Sequence, residues 1–384
     1  MDKELEKLKK ENLYRSLRII ESAQKPKVRI EGKEFLLFSS NNYLGLSNNP
    51  IIKKKAAEAL KKYGCGACAS RLISGNVEPY VSLEKTIARF KGTKEALVFS
   101  SGYAANVGTI STIAESSDTI FSDALNHASI IDGCRLSRAQ IKIYNHKDVN
   151  HLEDLVKKTK GRGKKIIITD SIFSMDGDIA PLGDIQKVAK KYGCLLFVDD
   201  AHATGTLGKR GRGSAEFFNI NGKIDIYMGT LSKAVGSVGG FIAGKRKLIE
   251  FLINRSRSFI YSTGLPPSAL AASQSALELI EKDLSYLNNL KRNEKLIKEG
   301  LEEIGYDTME SETQIIPVLM ETEERAIKAF HFLFKNNIFV PAIRPPTVPK
   351  GKARLRITPM ASHTRKDIEY LLDVFAKMKK AIFK

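Results

Sequence analysis

With 384 residues, 42% hydrophobic and 27% charged, the chain has the composition of a folded globular protein. It is also longer than one core usually supports, which predicts two structural units. No apolar run approaches the ~20 residues of a membrane-spanning helix, and the charged start MDKELEKLKKENLYRSLRII lacks the apolar region of a secretory signal, so a cytoplasmic protein with no membrane partner is expected. Lys and Arg outnumber Asp and Glu by 62 to 43, but the excess is diffuse, with no basic and aromatic interleaving and no zinc-finger spacing. A solvated basic surface follows, with a nucleic-acid-binding module as the remote alternative.

Residues 1–24 have an amphipathic, helical composition, and VRIEGKEFLLFSS (28–40) alternates like a short hairpin turning at Gly32. SSNNYLGLSNNP reads as an ordered loop, because Tyr43, Leu44 and Leu46 give it something to bury. Helices are expected over 51–63 and 81–90. Between them Cys65 and Cys68 form a lone C-x-x-C with no second pair to complete a zinc site. With Cys134 and Cys194 they read as packing residues in a reducing compartment, and no metal site is expected.

From Glu95 onward strands alternate with helices. ALVFSSGYAANVGTIST reads as a strand, a Ser-Gly turn and a helix whose first N–H groups are free to receive phosphate. DTIFSDALNHASIIDG supplies a strand followed by His127, and KKIIITDSIFSMDGDIAPL a strand followed by the loop holding Ser174. A helix over 184–192 leads to the strand CLLFVDD, which ends in Asp199 and Asp200 just before His202. IDIYMG and GGFIAG are two more strands, with Lys233 between them. The pattern predicts an α/β fold: a large domain over 46–280 with a mainly parallel central sheet covered on both faces and ligands bound beyond the strand ends. After about residue 280, long charged helices (280–304 and 323–336) alternate with short strands such as TQIIPVLM and ARLRIT. They predict a smaller α+β domain over 281–384, against which residues 1–45 are expected to pack.

Lys233 lies in IDIYMGTLSKAVGSVGG, among small residues that allow close approach. A partly desolvated lysine loses its proton more readily and forms a Schiff base with an aldehyde. An aldehyde cofactor with a phosphate arm and a pyridine ring would use every member of the set. Lys233 would take the aldehyde, Asp199 would keep the ring nitrogen protonated, and the helix start after Ser100, Ser101 and Gly102 would take the phosphate. His127 could lie flat on the ring, and Ser174 and His202 could reach its phenolic oxygen.

DDAHATG followed by GTLSKAVGSVGG, with NNYLGL, SGYAAN, NHASIIDG, SMDGDIAPL, GRGS and YSTGLPP around them, resembles the α-oxoamine synthases. These are pyridoxal 5'-phosphate (PLP) enzymes of fold type I that condense an amino acid with an acyl-CoA and release carbon dioxide. The resemblance runs from Leu17 and Arg18 to about His363. It implies Lys233 on the cofactor aldehyde, Asp199 on the ring nitrogen, His127 stacked on the ring, and Ser174 and His202 near the phenolic oxygen. It further implies Gly102, Tyr103 and Thr230 near the phosphate, and Thr263 contributed by the other subunit of a homodimer with shared active sites. Arg356 is implied on the substrate carboxylate, with Arg18, Asn41, His127 and Thr358 as further substrate contacts. SRLISGN, YSTGLPP and IRPPTVPKGKARLRIT resemble members that join L-alanine to a pimeloyl thioester of CoA or an acyl-carrier protein. ENLYRSLR and SDALNHASIIDGCRLS suit members that use glycine and acetyl-CoA equally well, so the substrate pair, or one enzyme serving both, stays open at the level of sequence.

Overall fold

The computed structural model describes residues 1–382. Its chain forms two compact units: one of residues 49–173 and 179–287, the other of residues 1–48, 174–178 and the chain from 288 onward. The short piece 174–178 belongs to the second unit although its neighbours in sequence do not.

The second unit begins with α1 (Asp2–Lys10) and the antiparallel hairpin β1 (Lys27–Ile30) and β2 (Lys33–Leu37). The helix expected over 1–24 is therefore confined to its first third. None of its residues is buried, and a helix without a buried face gains little from tertiary packing. Residues beyond it leave the helix and are tied to the 344–347 stretch instead. The Arg344 guanidinium donates to the carbonyls of Asn12 and Tyr14, and Arg15 donates to Thr347 Oγ1 at 3.2 Å.

In the first unit, α2 (Pro50–Tyr63) and α3 (Glu78–Lys91) precede a seven-stranded sheet. Its strands are β3 (Glu95–Phe99), β4 (Thr119–Asp123), β5 (Gln140–Tyr144), β6 (Lys165–Asp170), β7 (Leu195–Asp199), β8 (Ile226–Thr230) and β9 (Gly240–Gly244), in the order β3-β9-β8-β7-β6-β4-β5. Strands β8, β7, β6, β4 and β5 run parallel, and β9 is antiparallel to both of its neighbours. Ile166, Ile167 and Ile168 in β6 are fully buried in sequence, as a strand covered on both faces requires, and each such side chain contributes roughly 1.5–3 kcal/mol relative to exposure. Register sets Asp170 opposite Asp199, and Asp199 opposite Met228, so β6 and β7 finish level and β8 runs on to Thr230.

Two helices start beside these ends. α4 (Gly102–Ile113) is capped by Ser101, whose Oγ accepts from Ala104 N at 3.0 Å, and α5 (Ala128–Ser137) is capped by the ring of His127. The glycine pair before β9 has a packing reason: a Cβ on Gly240 would lie 2.6 Å from Gly102 Cα, so only glycine lets β9 meet the start of α4.

The remaining strands of the second unit form β10 (Ile316–Glu321), β11 (Ile338–Phe339), β12 (Ala342–Ile343) and β13 (Ala353–Ile357), arranged as an antiparallel sheet β10-β13-β12 and a strand β11 added parallel to β2. Helices Glu323–Lys335 and Arg365–Ile382 pack on them through Ala326, Ala329, Leu333, Leu371, Val374 and Phe375. The stretch expected as one helix over 280–304 is two, Pro267–Lys282 and Ser285–Ile304. Asp283 ends the first, and its Oδ1 accepts from Ser285 N at 2.9 Å. Cys65 and Cys68 are exposed rather than packed, whereas Cys134 and Cys194 are buried as expected.

Candidate active site

At the strand ends of the first unit the chain gathers four of the residues singled out by sequence. Lys233, in the loop after β8, is half-buried, and its Nζ lies 2.8 Å from His202 Nε2. Asp199 ends β7 and is 3% exposed. Its Oδ1 accepts from Ala201 N at 2.8 Å and its Oδ2 from Asn106 Nδ2 at 2.7 Å, both neutral donors. His127 is exposed as a residue, yet desolvation of its ring holds its pKa below the ordinary value, opposed by Asp199 and helped by the Lys233 charge. Beneath it, the buried Asp170 accepts from His127 N at 2.7 Å. Burial and then the charge of Asp199 push the Asp170 pKa well up.

The start of α4 lies across Thr230 of β8. A Cβ on Gly102 would come within 3.0 Å of Met228 Cε and 3.6 Å of Thr230 Oγ1. Thr230 Oγ1 is held by Gly239 O at 3.0 Å and by Ser232 Oγ at 2.8 Å. Ser101 serves Ala104 N, which leaves the N–H groups of Gly102 and Tyr103 at the positive end of the helix. The Tyr103 hydroxyl turns away to Asp132, so it is the backbone of Tyr103 that this end offers. Thr263 sits elsewhere in the same unit, in an isolated bridge to Ser70.

The other sequence-derived residues lie in the second unit. Arg356 on β13 is 7% exposed and has only neutral partners: its Nε donates to Ser174 O at 2.6 Å, and its Nη atoms face Asn41 Oδ1 at 3.4 and 3.5 Å and Tyr43 OH at 3.5 Å. Thr358, fully buried, donates to Ser40 O at 3.0 Å. Ser174 is thus brought to Arg356 through its carbonyl. Arg18 does not join this group: it pairs with Glu31 at 3.0 Å and lies over the ring of Phe334, 4.4 Å from its centroid.

Sequence reasoning passed over Asn106, Ser129 and Asp170 as individuals. The first two lie inside the quoted motifs SGYAAN and NHASIIDG, and the third ends the strand KKIIITD, so position at a strand or helix end was the available signal.

Residues 33–375 match the family described as aminotransferase class I and II. Curated relatives named 8-amino-7-oxononanoate synthase are 49% identical in Geobacter sulfurreducens, over 99% of this chain and 97% of that protein, and 49% identical in Thermoanaerobacter pseudethanolicus, over 98% and 96%. A serine palmitoyltransferase of S. paucimobilis, solved with a PLP-myriocin aldimine bound, superposes with a TM-score of 0.95 at 32% identity, covering 99% of this chain and 97% of that one. The chain belongs to the aminotransferase class I and II family and, within it, to the α-oxoamine synthases, which are PLP-dependent.

The donor set fits that cofactor on the structure's own terms. The N–H groups of Gly102 and Tyr103 stand at a helix N-terminus, which receives phosphate well, Asp199 is held by neutral donors, and the Lys233 amine lies 2.8 Å from His202 Nε2. Asn106 Oδ1, buried beside Asp199, has no hydrogen-bond partner among the described residues, which is a mark of an incomplete polar site.

Proposed function

We infer that the chain catalyses the condensation of L-alanine with a pimeloyl thioester to 8-amino-7-oxononanoate, releasing carbon dioxide and the free thiol carrier, in biotin biosynthesis. The observation that carries this reading is identity of 46–49% over nearly the full chain to enzymes of that name in several bacteria.

In this reading the Lys233 amine would hold the cofactor by its aldehyde and, when free, would take the α-proton of the amino acid. His202 Nε2, 2.8 Å from that amine, orients it. When bound, PLP supplies a sink for the electrons left at the α-carbon. Asp199 would hold a proton on the ring nitrogen, and the Asn106 and Ala201 donors fix its carboxylate in place for that task. His127 covers the ring face, the N–H groups of Gly102 and Tyr103 with Thr230 take the phosphate, and Ser174 and His202 serve the phenolic oxygen. Arg356 receives the amino-acid carboxylate, since a buried guanidinium with only neutral partners is matched by a bidentate anion. Asn41 and Thr358 complete the substrate contacts around Arg356.

We further propose a homodimer in which Thr263 serves the partner's site. The exposed Leu72, Ile73 and Tyr261, which flank the Ser70–Thr263 bridge in sequence, support an interface there. A biosynthetic enzyme using such thioesters would work in the cytoplasm, and among the described residues no helix is long and apolar enough to cross a membrane.

Steady-state assays with L-alanine plus pimeloyl-CoA, L-alanine plus a pimeloyl-acyl-carrier protein, and glycine plus acetyl-CoA test the reading. Turnover of alanine with either pimeloyl donor, at a kcat/KM at least about 100-fold above the glycine pair, is the expected result. Preference for glycine and acetyl-CoA would replace it with 2-amino-3-oxobutyrate formation.

A further inference from the structure

Three side chains, the buried Asn106 and Ser129 and the exposed His127, form a hydrogen-bond chain that starts at Asp199. Asp199 ionised can only accept. Asn106 Nδ2 carries two hydrogens, and both are committed: one to Asp199 Oδ2 at 2.7 Å, the other to Ser129 Oγ at 2.9 Å. Flipping the amide would set its carbonyl against the carboxylate, so the orientation is fixed. The Ser129 hydroxyl, which accepts from Asn106, lies 2.8 Å from His127 Nδ1 and has its one hydrogen left to give. Ser129 N also points at the same nitrogen, at 3.3 Å, because His127 caps α5. Two donors therefore converge on Nδ1, and a proton there would face both.

We propose that Asn106 and Ser129 are positioning residues that hold His127 neutral, with its proton on Nε2, and tie its ring to Asp199 through one directed chain. The proposal rests on the functional reading above, in which His127 covers the cofactor ring and Asp199 keeps the ring nitrogen protonated. A neutral His127 keeps a second positive charge away from that ring proton. Asn106 and Ser129 are each 1% exposed, so water does not compete for these bonds.

The charges facing His127 bear on the same question. Lys233, from the loop after β8, disfavours a cationic ring and Asp199, from β7, favours one, while Asp170, from β6, binds the backbone N–H of His127. Burial adds to Lys233, and the wiring at Nδ1 acts in the same direction.

The test is nitrogen NMR of protein labelled with 15N-histidine, before and after loading with PLP. Two-bond proton–nitrogen correlations report which ring nitrogen carries the proton, and among the six histidines the His127 signals are those lost in His127→Gln. Wild-type protein should show the Nε2-protonated tautomer and titrate below the ordinary value of about 6.5. In Ser129→Ala and Asn106→Leu, both checked for folding by circular dichroism, the tautomers should mix and the His127 pKa should rise toward the ordinary value of about 6.5. The visible absorbance of the loaded variants should then vary between pH 6 and 8, where that of the wild type is flat. An Nδ1-protonated wild-type ring, or wild-type histidine spectra in both folded variants, would overturn the proposal. The spectra of the unloaded protein test the wiring alone, so failure to take up PLP would refute the functional reading and leave the wiring standing.

Discussion

Neighbouring charges are treated differently in both units of this protein. At the end of β7, Asp200 is fully buried against Lys91 at 2.8 Å, and the same ammonium donates to Arg212 O at 2.8 Å. Asp199, one residue earlier, is bound by neutral donors only. On β13, Arg354 pairs with Asp176 at 2.7 Å and donates to Met175 O, while Arg356, two residues on and on the same face of the strand, meets only carbonyls and a phenol. In each unit one charge is consumed by an internal partner and its neighbour is held in place but left uncompensated. Burial without compensation costs stability, so the second member of each pair marks chemistry rather than folding.

The sharpest way to break this contrast is to exchange the two aspartates' fates. Asp199→Ala should lower turnover by roughly 10²- to 10³-fold while changing the urea midpoint little. Lys91→Met should do the reverse: it strands the Asp200 charge in the core, and equilibrium unfolding should show a loss of about 3–5 kcal/mol. Equal loss of stability in both variants would remove the distinction.

The arginines offer a smaller effect. Arg356→Ala should raise the KM for the amino acid about 10- to 100-fold, since it deletes the cation expected to meet the carboxylate. The Ser174 carbonyl and Asn41 it leaves behind are neutral, so stability should fall less than in Lys91→Met.

The smallest effect concerns Glu294 in the helix Ser285–Ile304, where burial pushes the carboxyl up to about 7 and Lys291 and Lys298 only partly offset it. The folded pKa lies above the unfolded value of about 4.3, so the protonated carboxyl stabilises the fold fully at low pH. That contribution is lost as pH rises through about 7. Glu294→Gln should therefore be more stable than wild type at pH 8, by about 1–3 kcal/mol in urea unfolding, and closer to it at pH 5.

Much of this was legible in sequence because the signals are local. The run KKIIITD needs no partner to read as a buried strand, and the Gly239–Gly240 pair announces a close approach before the start of α4 is known to be what approaches. The α-oxoamine synthase motifs name Lys233, Asp199 and His127 without any coordinates. The N-terminal stretch misled for the same reason: its amphipathic composition extends to residue 24, but beyond α1 it is drawn out by Arg15 and Arg344. Composition does not encode that competition.

The sequence by itself thus determined the alternation of strands and helices, the family and the reacting lysine, since periodicity and motif are properties of neighbouring residues. Only the tertiary structure decided which charge is spent on folding. Lys91 and Asp200 are 109 positions apart and Arg354 and Asp176 are 178 apart, and the partners meet only after the chain has packed. The same holds for the bonds that run from Asp199 through Asn106 and Ser129 to His127. They join β7, α4 and α5, and their direction follows from a burial that leaves each donor a single acceptor.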